Sequence, residues 1–304
     1  MSKRKPASAT GVLIINKHAG VTSHNIVSAL RKLYDMSQVG HTGTLDPMAT
    51  GVLPVLLGRA VKASDLLVAE DKEYVAEMTL GVTTDTQDTT GEVLSESGAI
   101  PSDDEVTRVC RSFVGDILQT PPMYSAIKVG GKKLYDIARA GETIEREPRK
   151  ITIRSLDAEK ISDRVWRLRV ECSKGTYIRT LCADIGDALG CGAAMSALCR
   201  TKSGPFDLSC AHTIEEISEM TFAQRLSLPM PTESLFEDLP ALDISDFFAK
   251  LAKSGAELYQ KKLGTFFEEG TTVRLRHRGV FIALGKVRDF DGGSAIKPVK
   301  LFVL

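Results

Sequence analysis

The hydrophobic period changes once within residues 165–190, and that change limits the fold more than any other stretch. In VWRLRVEC, Trp166, Leu168, Val170 and Cys172 fall on one side and Arg167, Arg169 and Glu171 on the other. That is the spacing of a strand with one face buried and one face wet. In GTYIRTLCADIGDALG, Ile178, Leu181, Ile185 and Leu189 make a helical stripe, closed by Gly190. A half-buried strand followed by an amphipathic helix requires a sheet with helices laid on it. Arg179 then falls in the first helical turn, next to a strand end.

The rest of the chain extends the same pattern. GVLIINK reads as a short buried strand, and Thr22 or Ser23 can cap a helix carrying Ile26, Leu30 and Leu33 on one face. KEYVAEMTLG reads as another strand. Residues 120–150 mix Pro, Gly, Tyr and charges with little periodicity, which predicts an insertion over the core with a short helix near Lys133 to Arg139. From Pro229, PMPTESLFEDLP reads as a linker, followed by one helical segment and short strands around TVRLRHR, VFIALGKV and AIKPVKLFVL. At 304 residues, two domains are expected. The predicted fold is α+β: a catalytic domain at 1–228 with a mixed β-sheet flanked by helices, then a linker and small β-rich domain at 229–304.

Composition excludes several classes. No apolar run approaches membrane-spanning length, and the basic start MSKRKPASAT has no apolar segment behind it, so it reads as a frayed tail rather than a secretory signal. Six cysteines without a C-x-x-C pair imply reduced thiols in a cytoplasmic protein, with neither disulfides nor a metal. Net charge is zero, from 39 basic and 39 acidic residues, which argues against a nonspecific polyanion binder. The charges are nevertheless segregated. Residues 128–180 hold 14 Lys/Arg against 8 Asp/Glu, residues 271–304 hold 7 against 2, and residues 211–270 hold 5 against 11. Two basic regions around an acidic one fit either two places that hold phosphates or plain solvated faces.

The stretch VGHTGTLDPMATGVLPVLLGRA sets one carboxylate, Asp46, among glycines just ahead of an apolar run. Locally, an Asp-Pro turn whose side chain bonds nearby N–H groups accounts for it. Neither a dinucleotide fingerprint nor a P-loop can be found in it. The stretch as a whole resembles the catalytic motif of the tRNA pseudouridine-55 synthases, the TruB family. Further blocks follow in family order: NKHAGVTSHNIV, KEYVAEMTLGVTTDTQDTTGEV, PPMYSAIKVGGKKLYDIARAGETIEREPR, CSKGTYIRTLCADIG and LCRTKSGPF. The tail resembles a PUA-like RNA-binding domain more loosely.

The resemblance implies an isomerase that breaks the N1–C1′ bond of a uridine, turns the uracil and rejoins it through C5, without a cofactor. One carboxylate then suffices where a glycosidase needs two, because the leaving group stays captive. The family pattern makes Asp46 that carboxylate, either attacking C1′ or abstracting a sugar proton. It makes Tyr74 the ring stacked on the flipped uracil and Arg179 the cation paired with Asp46. His41 would fill the gap left by the extruded base, and Lys17 and Leu198 would line the pocket. Lys128, Lys132, Lys133 and Arg139 in the insertion, with Arg274, Arg276 and Arg278 in the tail, are candidates for phosphate contact. The implied partner is the T stem-loop of tRNA, bound by a monomer that needs no other protein.

Two departures stand out. His18 occupies a position usually held by proline, and Cys199 one often held by arginine. Two rivals to the stand-alone enzyme are a guide-dependent homologue and a noncatalytic RNA-binding module. The full insertion at 120–150 argues against the first, since a stand-alone enzyme must read a stem-loop by shape. Retention of Asp46, Tyr74 and Arg179 together argues against the second.

Overall fold

The strand foreseen at Val165–Cys172 alternates as its sequence demands: Trp166, Leu168, Val170 and Cys172 are buried, and the charged residues between them face solvent. In the computed structural model, which describes residues 9–67, 71–125 and 127–303, this strand lies inside a nine-stranded mixed sheet. The N-terminal tail at 1–8 is outside the described residues. The main path of the sheet runs Gly11–Lys17, Thr50–Leu57, Ala193–Ser203, Lys72–Leu80, Val165–Cys172, Arg149–Lys160, Gly115–Gln119. Its neighbours are antiparallel except for Thr50–Leu57 beside Ala193–Ser203, where Cys199 aligns with Thr50 and Arg200 with Gly51. Val39–His41 adds to Thr50–Leu57.

The helices Ser23–Leu33, Asp103–Ser112 and Ile178–Ala188 cover one face of the sheet. Ile26, Leu30, Val106, Leu181 and Ile185 share one apolar cluster there with Leu13, Ile15, Leu53 and Met78. Thr22 caps the first helix, reciprocated by Asn25. Gly190, at φ +72°, ends the third in the left-handed conformation that a side chain resists. GVLIINK is apolar without a break because both of its faces are buried: Val12 and Ile14 belong to a second cluster on the far side.

That second cluster joins the two halves of the chain. A five-stranded sheet forms the C-terminal domain, in the order Ala241–Asp243, Thr272–His277, Val280–Phe290, Gly293–Leu301, Leu258–Tyr259. The helix Asp246–Ser254 contributes Ala249 and Ala252 to that domain's own core, with Val273, Leu275 and Ile296. Phe281, Leu284 and Phe302 turn instead toward Val12, Val52 and Leu56 of the catalytic sheet, with Phe236 between them. The Phe281 and Phe302 rings stack at 5.1 Å.

The stretch expected to be a linker is instead packed. Residues 232–236 form a short 3-10 helix with Leu235 and Phe236 buried, and Met230 pairs with Val12 through two backbone hydrogen bonds of 2.8 and 2.9 Å. Upstream, His212 pairs in the same way with Ile14 and Asn16. The acidic segment therefore shields the edge of strand Gly11–Lys17, whose amides would otherwise stand unpaired.

Candidate active site

The loop bearing Asp46 is fixed from below before any charge is considered. Leu45 is buried, and its backbone exchanges two hydrogen bonds with the Ser23 hydroxyl, at 2.9 and 3.1 Å. The Pro47 carbonyl accepts from Gly20 N at 2.8 Å and from the Lys17 ammonium at 3.3 Å. Lys17 is fully buried and also donates to the carbonyls of Val21 and His18. It is anchored this way with His18 in the place of proline. Burial pulls the Lys17 pKa down to about 8, with Asp46 opposing and Arg200 adding to the fall.

Arg179 reaches Asp46 from the first turn of helix Ile178–Ala188. Its Nε lies 2.9 Å from Oδ2 and its Nη2 3.5 Å from Oδ1, so the guanidinium meets the carboxylate edge-on. Only 6% of the Arg179 side chain is exposed, against 35% for Asp46, whose carboxylate looks outward. The remaining donors of Arg179 are occupied as well, at the Thr86 carbonyl (3.0 Å) and the Tyr124 carbonyl (2.9 Å), with Asp88 Oδ2 at 3.7 Å. Asp88 is itself buried, and its Oδ1 accepts from Thr86, Thr90 and the Thr90 amide. The turn TDTQDTTG is thus a bracket for Arg179, docked on the sheet through Gln87 and Thr89 to Met195.

The other expected residues lie on the strands around that loop. Tyr74 is buried on the central strand Lys72–Leu80, and burial raises its phenol pKa while Arg200 lowers it. Leu198 lies in the apolar cluster that holds Tyr74, Leu45 and Val55. His41 sits on the short strand before the loop. Burial, then Arg200 and His24, depress its imidazole, and its Nδ1 is buried without a partner. A neutral, flat ring at the pocket edge follows.

The candidate phosphate contacts separate into groups. Lys132 and Arg139 are exposed on the insertion, Arg139 lying 5.4 Å over the Tyr135 ring. The backbones of Lys128 and Lys133 pair in a small hairpin, and their side chains lie outside the described residues. Arg274 and Arg276 are turned inward onto Glu233, Arg274 also binding the Leu239 and Glu237 carbonyls. Arg278 is the exposed member of the three tail arginines, and it pairs with Asp246.

Sequence reasoning passed over Asp88, Tyr177 and Arg200. Tyr177, at the N-cap of the Arg179 helix, has its backbone clamped by buried Gln119 at 2.8 and 3.1 Å. Burial raises the pKa of its phenol, with Arg179 opposing and Asp46 adding slightly. Asp88 had a signal, since an Asx turn between threonines usually bonds its own backbone. Among the described residues, no cluster of three or more His, Cys, Asp or Glu is placed to hold a metal, and no helix is long and apolar enough to cross a membrane.

Among solved structures, a Cbf5-Nop10-Gar1 complex matches all of this chain and 91% of that one, at TM-score 0.72 and 28% identity. An H/ACA RNP bound to a substrate RNA containing 2′-deoxyuridine matches 97% and 86%, at TM-score 0.70 and 27% identity. Residues 31–178 fit the model of the TruB family pseudouridylate synthase N-terminal domain, and residues 179–236 that of the tRNA pseudouridylate synthase B C-terminal domain. The fold is that of a pseudouridine synthase with a C-terminal domain. Two curated relatives narrow the class. The tRNA pseudouridine synthase B of Alkaliphilus oremlandii is 43% identical over 92% of this chain and 94% of its own. That of Clostridium tetani is 41% identical over 96% and 99%. The chain belongs to the TruB family of pseudouridine synthases.

Proposed function

We propose that this TruB-family enzyme converts the uridine at position 55 of the tRNA T loop to pseudouridine, working alone in the cytoplasm with Asp46 as its catalytic carboxylate. The observation that carries the reading is the edge-on pairing of Asp46 with a nearly buried Arg179. The target base must leave its stack to arrive there, at a cost of a few kcal/mol. His41, neutral and flat, fills the gap, and Tyr74 stacks on the extruded uracil. The N1–C1′ bond then breaks with its electron pair going to N1, while Asp46 either attacks C1′ or takes a sugar proton. The uracil turns, and C5 bonds to C1′ as the Asp46–C1′ bond breaks or as Asp46 returns its proton to the sugar; the C5 proton leaves by way of Tyr74, and N1 takes up that proton or one from solvent. Atoms and charge balance without an outside reagent.

The exposed Lys132 and Arg139 on the insertion, with Arg278, are offered as the phosphate contacts that hold the stem. Arg274 and Arg276, both engaged by Glu233, are weaker candidates for that contact. The test is to incubate the purified chain alone with an unmodified tRNA transcript and map pseudouridine by position. A single modified T-loop uridine supports the reading. No conversion without an added guide RNA or protein would favour the guide-dependent alternative, in line with the complexes named for its structural neighbours.

A further inference from the structure

Arg200 is the largest of the fully buried side chains, 1% exposed, and no step of the proposed reaction uses it. Its strand lies between the two that bear the reaction. On one side its backbone aligns with Gly51, which follows the Asp46 loop, and on the other with Tyr74. Its side chain turns back under the loop: Nε donates to the Val52 carbonyl at 2.7 Å and Nη2 to the Gly43 carbonyl at 3.2 Å. Gly51 is shaped to this arrangement, with φ +100° and a notional Cβ only 2.2 Å from the Arg200 carbonyl. A buried guanidinium whose hydrogen-bond partners are neutral carbonyls is costly to keep unless its geometry serves something. Ordinary packing would be served as well by leucine or methionine.

We infer that Arg200 is a positioning residue that ties the loop carrying Asp46 to the strand carrying Tyr74, so that carboxylate and stacked ring keep one fixed separation while the uracil turns between them. The inference rests on the functional reading above. A flexible loop would let Asp46 drift from C1′ once the base is detached, and a displacement near 1 Å can cost about a hundredfold in rate. The planar fork of arginine spans Gly43 and Val52 at once. Lysine, with a point charge, can hold one of them firmly.

The experiment measures single-turnover conversion of unmodified tRNA transcript, tRNA affinity and thermal melting for wild type, Arg200→Lys and Arg200→Met, each also combined with Tyr74→Phe. The expected result is a rate about a hundredfold lower for Arg200→Met and about tenfold lower for Arg200→Lys, with tRNA affinity within about twofold of wild type. In the Tyr74→Phe background the penalty for losing Arg200 should shrink to a few-fold, because the two residues sit at paired positions and act on one geometry, so their effects couple. Equal penalties in both backgrounds, or a loss seen in affinity and melting alone, would overturn the inference and leave Arg200 a packing residue. Should Arg200→Met not fold, Arg200→Lys carries the same comparison. Wild-type conversion in the same assay tests the functional reading separately, so the two failures are distinguishable.

Discussion

The guanidinium edge of Arg179 meets the carboxylate of Asp46 through two contacts, 2.9 Å at Nε and 3.5 Å at Nη2, while its other edge is tied to Thr86 and Tyr124. Every donor that could rotate away is engaged, so Asp46 is aimed as well as neutralised. Lysine would keep the charge and lose the aim. Arg179→Lys should therefore retain measurable single-turnover activity, about tenfold to a hundredfold below wild type, and Arg179→Met should fall about tenfold further. Equal rates for the two would assign Arg179 to RNA contact or core structure instead.

Asp88 acts on the same guanidinium from behind. Its Oδ2 is 3.7 Å from Arg179 Nη1, and its Oδ1 organises the turn that presents the Thr86 carbonyl. Asp88→Asn keeps an oxygen for the turn and removes the charge. A loss of about tenfold in rate with unchanged tRNA affinity is expected. An affinity loss without a rate loss would mean that the turn touches RNA rather than supporting Arg179.

These partners show what the sequence could and could not carry. The strand at Val165–Cys172 and the helix at Ile178–Ala188 were legible because each is half-buried and keeps one period. Asp46 and Arg179 were singled out by family resemblance, since the glycines around Asp46 alone read as a plain turn. Arg200 was not, because its importance depends on which strand lies opposite, and register joins residues far apart in the chain. The pairing of Arg274 and Arg276 was hidden for the same reason, because their partner Glu233 lies more than forty positions earlier. The supposed linker was polar and proline-rich, yet Leu235 and Phe236 within it were enough to seat it in a core.

Asp184 offers a prediction about stability and pH. Burial, reinforced by Asp187, raises its carboxyl from 3.8 to about 6. Between those values the folded protein binds more protons than the unfolded chain. Its favourable contribution is therefore complete below pH 3.8 and is lost as pH rises through 6. At pH 7, Asp184→Asn should stabilise the protein by about 1–2 kcal/mol after discounting for partial exposure, and the gain should vanish near pH 4. Melting curves at the two pH values decide it. A gain of the same size at both would point to packing rather than charge.

Two contacts of different character hold the C-terminal domain against the rest of the chain. Lys300 pairs with Asp65 at 2.8 Å near the surface, whereas Phe302 is buried against Phe281 and Phe236. Exposed pairs contribute little, so Lys300→Ala should cost under about 1 kcal/mol. Phe302→Ala should cost about 3 kcal/mol or more. Denaturant unfolding of both variants measures the difference, and comparable losses would show the charge pair to be as important as the aromatic cluster.

The most direct measurement of the central claim is single-turnover conversion of T-loop uridine by Asp46→Asn, alongside its tRNA affinity. Asparagine keeps the shape and can still accept from Arg179, but it can neither attack C1′ nor take a proton. Affinity is expected to come from phosphate and shape contacts elsewhere, so binding should stay within about threefold of wild type. The rate should fall by at least about a thousandfold. Conversion by Asp46→Asn at anything near the wild-type rate would contradict the account and remove Asp46 from the chemistry.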